Sequence, residues 1–167
     1  MKKIIIALAA AVAIAACLLA FAVMHQEKTD NAVTLDEITF NTTKEVNFKK
    51  DVNYSEEHSD GIINTSLYIS DNGNDYYEAL IVDYSNARGQ VDFDEWLIDS
   101  LKGEILKNAS SQNIGGIDVY STYRLNGTDV IEPIYTAYAD YNSTIVFLSS
   151  SDADETVKMI SSLKLNE

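Results

Sequence analysis

Residues 4–24 form an unbroken apolar run with no charge in it. Wound as a helix at ~1.5 Å per residue, the run would reach roughly 31 Å, close to the hydrocarbon thickness of a bilayer. Lys2 and Lys3 precede it, and His25, Gln26, Glu27, Lys28 and Asp30 follow with no net positive charge. The positive flank stays on the cytoplasmic side, so the remaining chain is expected outside, on a single-pass anchor in the cell membrane. After a short polar linker at 25–32, the pattern changes to brief alternations of apolar and polar residues.

Those alternations predict strands. Residues 33–40 read as one strand, or as a tight hairpin turning at Asp36-Glu37. Residues 44–53 alternate through Val46 and Phe48, and 54–60 read as a polar loop. A clearer hairpin follows: 61–70 and 76–84 flank the turn-forming run Asp71-Asn72-Gly73-Asn74-Asp75. Ile63, Leu67 and Ile69 share one strand face, as do Leu80 and Val82 in the next strand. The period then becomes helical. Asp92 is a candidate N-cap, and Phe93, Leu97, Leu101 and Ile105 recur at a spacing of four, which predicts an amphipathic helix over 93–107. Residues 108–113 read as a loop. Residues 117–125 alternate, Asn126-Gly127 is a type I′ hairpin signal, and 130–140 form a strand that becomes regular after Pro133. A turn at 141–143 leads to a buried strand at 144–149. Ser151 or Asp152 then caps a helix that runs to about residue 163, with acids in its first turn. The expected fold class is α+β: a mainly antiparallel sheet with two helices packed on one face, preceded by one N-terminal transmembrane helix. The chain divides into the anchor at 1–24, the linker at 25–32 and the extracytoplasmic domain at 33–167.

Composition supports an exterior location and leaves the processing of the apolar run open. It can be a retained anchor; it can be cleaved after Ala22, where Ala20-Phe21-Ala22 has the small-x-small pattern; or Ile14-Ala15-Ala16-Cys17 can act as a lipobox, with lipid on Cys17. Cys17 is the single cysteine, so the outer domain has no disulfide and no thiolate for catalysis or metal binding. The formal charge is −14 for the whole chain, and two units more negative once Lys2 and Lys3 are set aside. That balance excludes nucleic acid and anionic lipid headgroups as partners of the domain, and it promotes solubility.

Candidate chemistry is sparse. Six Asn-x-Ser/Thr sequons, at Asn41, Asn53, Asn64, Asn108, Asn126 and Asn142, stand where 13 Asn and 26 Ser plus Thr would give about two by chance. They are candidate glycosylation sites. Five fall in predicted loops or turns, and Asn64, alternating with inward Ile63, is expected to point outward. Asp71–Asp75 lacks the EF-hand order, so it reads as a hairpin loop and not as a calcium site. His58, within the charged run 56–60, is the one histidine past the linker; a hydrolase would have to use it or a carboxylate pair. No Gly-x-Ser-x-Gly elbow surrounds any serine. Gly115-Gly116 precedes a strand and so does not link a strand to a helix as a phosphate cradle would. Tyr76, Tyr120, Tyr135 and Tyr138 are candidates for an aromatic binding face on the solvent side of the sheet. No metal and no cofactor is implied.

The Lys-Lys-Ile-Ile-Ile start, the segment VTLDEITFN, the hairpin SLYISDNGNDYYEALIVDY and the closing ETVKMISSLKL carry a resemblance. On these the chain resembles a diffuse group of small membrane-anchored archaeal surface proteins of unknown function. Its element order is similar to that of PsbP-like α+β domains, extracytoplasmic modules that bind partners and do not catalyse. The resemblance implies a non-enzymatic domain that binds an envelope protein, a polymer or a solute. No site residue carries over from it.

Overall fold

Asp36 and Glu37 divide the first apolar stretch of the domain into two strands. β1 (Asn31–Leu35) and β2 (Ile38–Thr42) pair antiparallel around this two-residue turn, with Leu35 opposite Ile38. Asp36 adopts φ 46, a left-handed conformation that aspartate tolerates better than most residues. The computed structural model describes residues 30–58, 61–87, 99–100, 103–126, 129–141 and 143–166. The strands that follow are β3 (Lys49–His58), β4 (Gly61–Asp71), β5 (Tyr76–Asp83), β6 (Ser110–Ile114), β7 (Ile117–Asn126), β8 (Asp129–Tyr141) and β9 (Thr144–Ser150). The helix α1 (Ala153–Ser161) and the short strand β10 (Lys164–Leu165) close the chain.

β3 to β9 make one seven-stranded antiparallel sheet in the order β3-β4-β5-β9-β8-β7-β6. β1, β2 and β10 make a second, three-stranded sheet. β9 lies at the centre of the large sheet and is buried along its whole length, so its apolar run TIVFLSS needs cover on both faces. The front face receives that cover from the small sheet and α1: Val33, Leu35, Ile38, Phe40, Met159, Ile160 and Leu163 pack on Tyr68, Ala79, Ile81, Ala137, Val146 and Leu148. On the back face Ile63, Val82, Tyr84, Ile145 and Phe147 form a separate cluster, against which Ile105 packs. Burying each large side chain at these positions contributes about 1.5–3 kcal/mol.

The expected α+β class is therefore corrected. The fold is mostly antiparallel β-sheet, with small helical elements added to it. The two helices expected on one face do not share it: α1 lies on the front, whereas Ile105, from the helical residues 103–105, lies on the back. Most of the helix expected over 93–107 falls outside the described residues, as do the apolar run at 4–24 and Cys17. Among the described residues no helix is long and apolar enough to cross a membrane.

Two expected loops are strands. β3 continues to His58 through residues assigned to a loop, and β6 occupies residues assigned to another. Both are edge strands of the large sheet. A strand paired on one side and wetted on the other needs no apolar alternation, so the pattern passes over it. Pro133 sits inside β8 and does not begin it. β9 pairs only with Tyr135–Tyr141, so at Pro133 one side of β8 is an edge, where a missing N–H leaves no ladder bond unmade.

Candidate functional site

The β1–β2 turn overhangs the front face of the large sheet and encloses a cleft of about 370 Å³. Its roof is Asp36 and Glu37, its apolar walls are Ile38 and Ile81, and its polar floor is Asn64, Ser66, Asp83 and Thr144. The sheet register builds that floor. Asn64 pairs with Asp83 and Asp83 with Thr144, so the three stand in one row across β4, β5 and β9.

Several bonds fix the roof. The Tyr68 hydroxyl donates to Asp36 Oδ1 at 2.6 Å, and Lys50 Nζ lies 3.3 Å from the same carboxylate. Lys50 also sits 5.0 Å from the centre of the Tyr68 ring. Burial pushes the Asp36 carboxyl up, but the Tyr68 hydroxyl and the Lys50 ammonium outweigh it and hold it below its ordinary value. Beyond the turn, the Asn166 backbone N–H donates to the Glu37 carbonyl at 2.6 Å, and β10 pairs with β2 at Thr39 and Ile38.

The floor is partly satisfied by the protein. The Ser55 hydroxyl donates to Asn64 Oδ1 at 2.6 Å, and the Ser66 hydroxyl donates to Asn53 Oδ1 at 3.2 Å. Asp83 Oδ1 accepts from the Ser85 N–H at 2.9 Å. The one sealed side-chain polar atom without a partner among the described residues is Arg124 Nε, outside the cleft. The Thr144 hydroxyl is open to solvent and has no protein partner among the described residues. Glu37 and the second oxygen of Asp83 also lack protein partners there. A hollow of about 330 Å³ beside Gly116, Ile117, Ala139 and Ile160 has fewer polar groups, with Asp118 the one acid among the described residues that line it.

The four tyrosines expected to form one face are divided between two. Tyr76, Tyr120 and Tyr138 belong to the back face, and Tyr135 to the front, as the pairing of β5, β9, β8 and β7 requires. Tyr138 bridges Tyr120 and Phe147, at ring-centre distances of 6.1 and 5.5 Å. Tyr76 donates to Glu78 Oε2 at 2.6 Å and lies under the Arg124 guanidinium, 4.9 Å away. Burial, aided by Glu78, raises its hydroxyl well above the ordinary value. Arg124 in turn reaches Asp71 and Glu132, at 2.5 and 3.1 Å. This is a staple joining the β4–β5 hairpin to β7 and β8, and it leaves little of the tyrosine surface open. The well-exposed tyrosines are Tyr54 and Tyr123.

His58 ends β3 opposite Gly61, and its side chain lies outside the described residues. No cluster of three or more His, Cys, Asp or Glu able to hold a metal occurs among the described residues. Of the sequons, Asn53 and Asn64 are bound to Ser66 and Ser55, so two sequons on paired strands interlock. Asn64, expected to point outward, lines the cleft. Asn41 is half-buried on β2; its backbone N–H donates to Ser162 Oγ at 2.8 Å. Asn108 is exposed, with φ 65. The Asn126 side chain and Asn142 lie outside the described residues. Sequence reasoning passed over Asp83 and Thr144, and read Asn64 as solvent-facing. Alternation places residues on a face but does not say whether that face is covered.

No protein-family model, no characterised protein and no solved structure matches the chain.

Proposed function

We propose that this chain is a membrane-tethered binding domain. Residues 4–24 hold it at the cell membrane, with Lys2 and Lys3 on the cytoplasmic side and the β domain outside, and the cleft under the β1–β2 turn takes a small polar ligand. The cleft itself carries this reading. It brings the polar side chains of Asn64, Ser66, Asp83 and Thr144 together under Asp36 and Glu37, and its size lies within the range of small-molecule sites. The anchor and the net charge of −14 support an exterior domain.

Saturation-transfer NMR with a panel of small polar fragments, on the full chain in nanodiscs, tests the cleft. Fragments that bind should compete for one site, and their signals should vanish in Asn64→Trp, which fills the floor. Glu37→Trp at the exposed turn serves if that variant does not fold. Signals unchanged in a folded variant, or a panel with no binder, would overturn the reading.

A further inference from the structure

β3 is an edge of the large sheet, and among the described residues no strand pairs with its outer side. Its side chains are exposed at every position from Lys49 to Ser55 and again at Glu57. Two of them are large and apolar: Val52 is 41% exposed and Tyr54 54%. They stand opposite Leu67 and Thr65 on β4, so they share the back face at the rim of the sheet. A strand of ten residues with an unpaired row of N–H and C=O groups and an apolar pair near its middle is a template for another strand. The opposite edge, β6, has five residues and the uncharged sequence SSQNI.

The charge order along β3 selects the partner. Lys49 and Lys50 lie at its start, and Glu56 and Glu57 near its end. A strand that is basic at one end and acidic at the other is its own complement when run antiparallel. Two copies paired about Asn53 set Val52 of each opposite Tyr54 of the other, and bring the lysines of each to the glutamates of the other. Parallel pairing in register would set lysine against lysine and glutamate against glutamate. The register of β3 against β4 shifts at Asp51, which adds one residue to the strand there. Lys50, opposite Tyr68, and Glu57, opposite Ile62, thereby share the front face. At a net charge of −14, two copies repel over most of their surfaces. On β3 the two lysines nearly balance Asp51, Glu56 and Glu57, so repulsion is small where the apolar pair is exposed.

We propose that two copies of this chain associate through β3, antiparallel about a two-fold axis at Asn53, and join their seven-stranded sheets into one continuous sheet. This contact does not depend on what the cleft binds.

The test is disulfide trapping on the full chain in neutral detergent at low salt, with Cys17→Ser removing the native thiol. Asn53→Cys lies on the axis, where opposed Cα atoms stand about 4.5–5.5 Å apart, within disulfide reach. Mild oxidation should convert most of this variant to a covalent dimer. Ser55→Cys lies two residues from the axis, so its two copies stand about 13 Å apart at about 3.3 Å per residue. Ser111→Cys lies on the opposite edge. Both should stay monomeric. Should Asn53→Cys fail to fold, a mixture of Val52→Cys and Tyr54→Cys chains carries the test, with the mixed disulfide as the expected product. In sedimentation velocity, Lys49→Glu replaces two attractive contacts with two repulsive ones and should weaken the dimer by about threefold to tenfold. Equal trapping at positions 53, 55 and 111 would mean random collision or association through the apolar run, and would overturn the proposal. Trapping at Ser111→Cys alone would move the contact to β6, and no trapping in a folded Asn53→Cys chain would remove it; either result sinks the β3 dimer.

Discussion

Tyr77 is only 5% exposed, in the front-face core, and its ring meets Phe48 edge-on. Burial pushes its hydroxyl up from an ordinary value of 10 to about 12, and the negative charges of Glu155, Asp75 and Asp152 add to the shift. The folded chain thus holds the phenolic proton more tightly than the unfolded chain does. The stability this contributes is complete below pH 10 and is lost as pH rises through about 12. Urea midpoints measured from about pH 9 to about pH 12 should fall in the wild type and fall less steeply in Tyr77→Phe. Some slope should persist in the variant, because burial also raises Tyr76. Parallel profiles would show that Tyr77 is not the group responsible. At this scale the site was poorly legible. Asp83 and Thr144 look like ordinary strand residues until β5 and β9 are paired. Nothing local to Asn64 indicates that the β1–β2 turn lies over it.

Among the elements, those closed by short-range chemistry were legible. Asp36-Glu37 turns a hairpin, Asp71–Asp75 turns the next, and Asp152 caps α1 by accepting from the N–H groups of Asp154 and Glu155. Elements that exist only through a distant partner were not. β10 has two residues, too few for any period, and forms because Leu163 anchors the chain in the core beside β2. That small strand holds the cleft roof. Asn166 bonds the Glu37 carbonyl and the Thr39 hydroxyl, the latter at 3.0 Å. A chain ending at Leu163 loses these bonds and the β10 ladder, a net loss of about 1–3 kcal/mol. Its Tm should drop by about 3–8 °C, with NMR shift changes centred on Asp36 and Glu37. An unchanged Tm would mean that the roof stands without β10.

Over the whole molecule, sequence and structure speak to different parts. The apolar run and the charge balance bear on where the chain resides, and the paired sheets bear on what it can hold. The proposed tether is tested by membrane fractionation followed by intact mass. The full-length mass is expected in the membrane fraction. A mass beginning after Ala22, or one gaining lipid at Cys17, would replace the retained anchor with cleavage or lipidation. Recovery of the full-length chain in the soluble fraction would sink the tether. The same mass reports any glycan, for which Asn53 and Asn108 are the exposed ones among the described sequon residues. The antiparallel character of the sheet was legible from consecutive hairpins. The cover on its two faces was not, because an apolar strand such as 144–149 reports burial without saying what lies above or below it.

The order β3-β4-β5-β9-β8-β7-β6 also has a consequence for how the chain reaches this state. The sheet consists of two meanders, each of which can form by closing neighbouring hairpins, a fast and local process. They join at a single seam between β5 and β9, whose nearest partners in sequence are Asp83 and Thr144. Closing that loop carries a larger entropy cost than any hairpin in the sheet, so the seam sets the folding time. Until it closes, β5 and β9 each present an unpaired, strongly apolar edge, open to pairing with the same strand of another molecule. The most deeply buried junction of the finished protein is thus its most vulnerable point while it is being made.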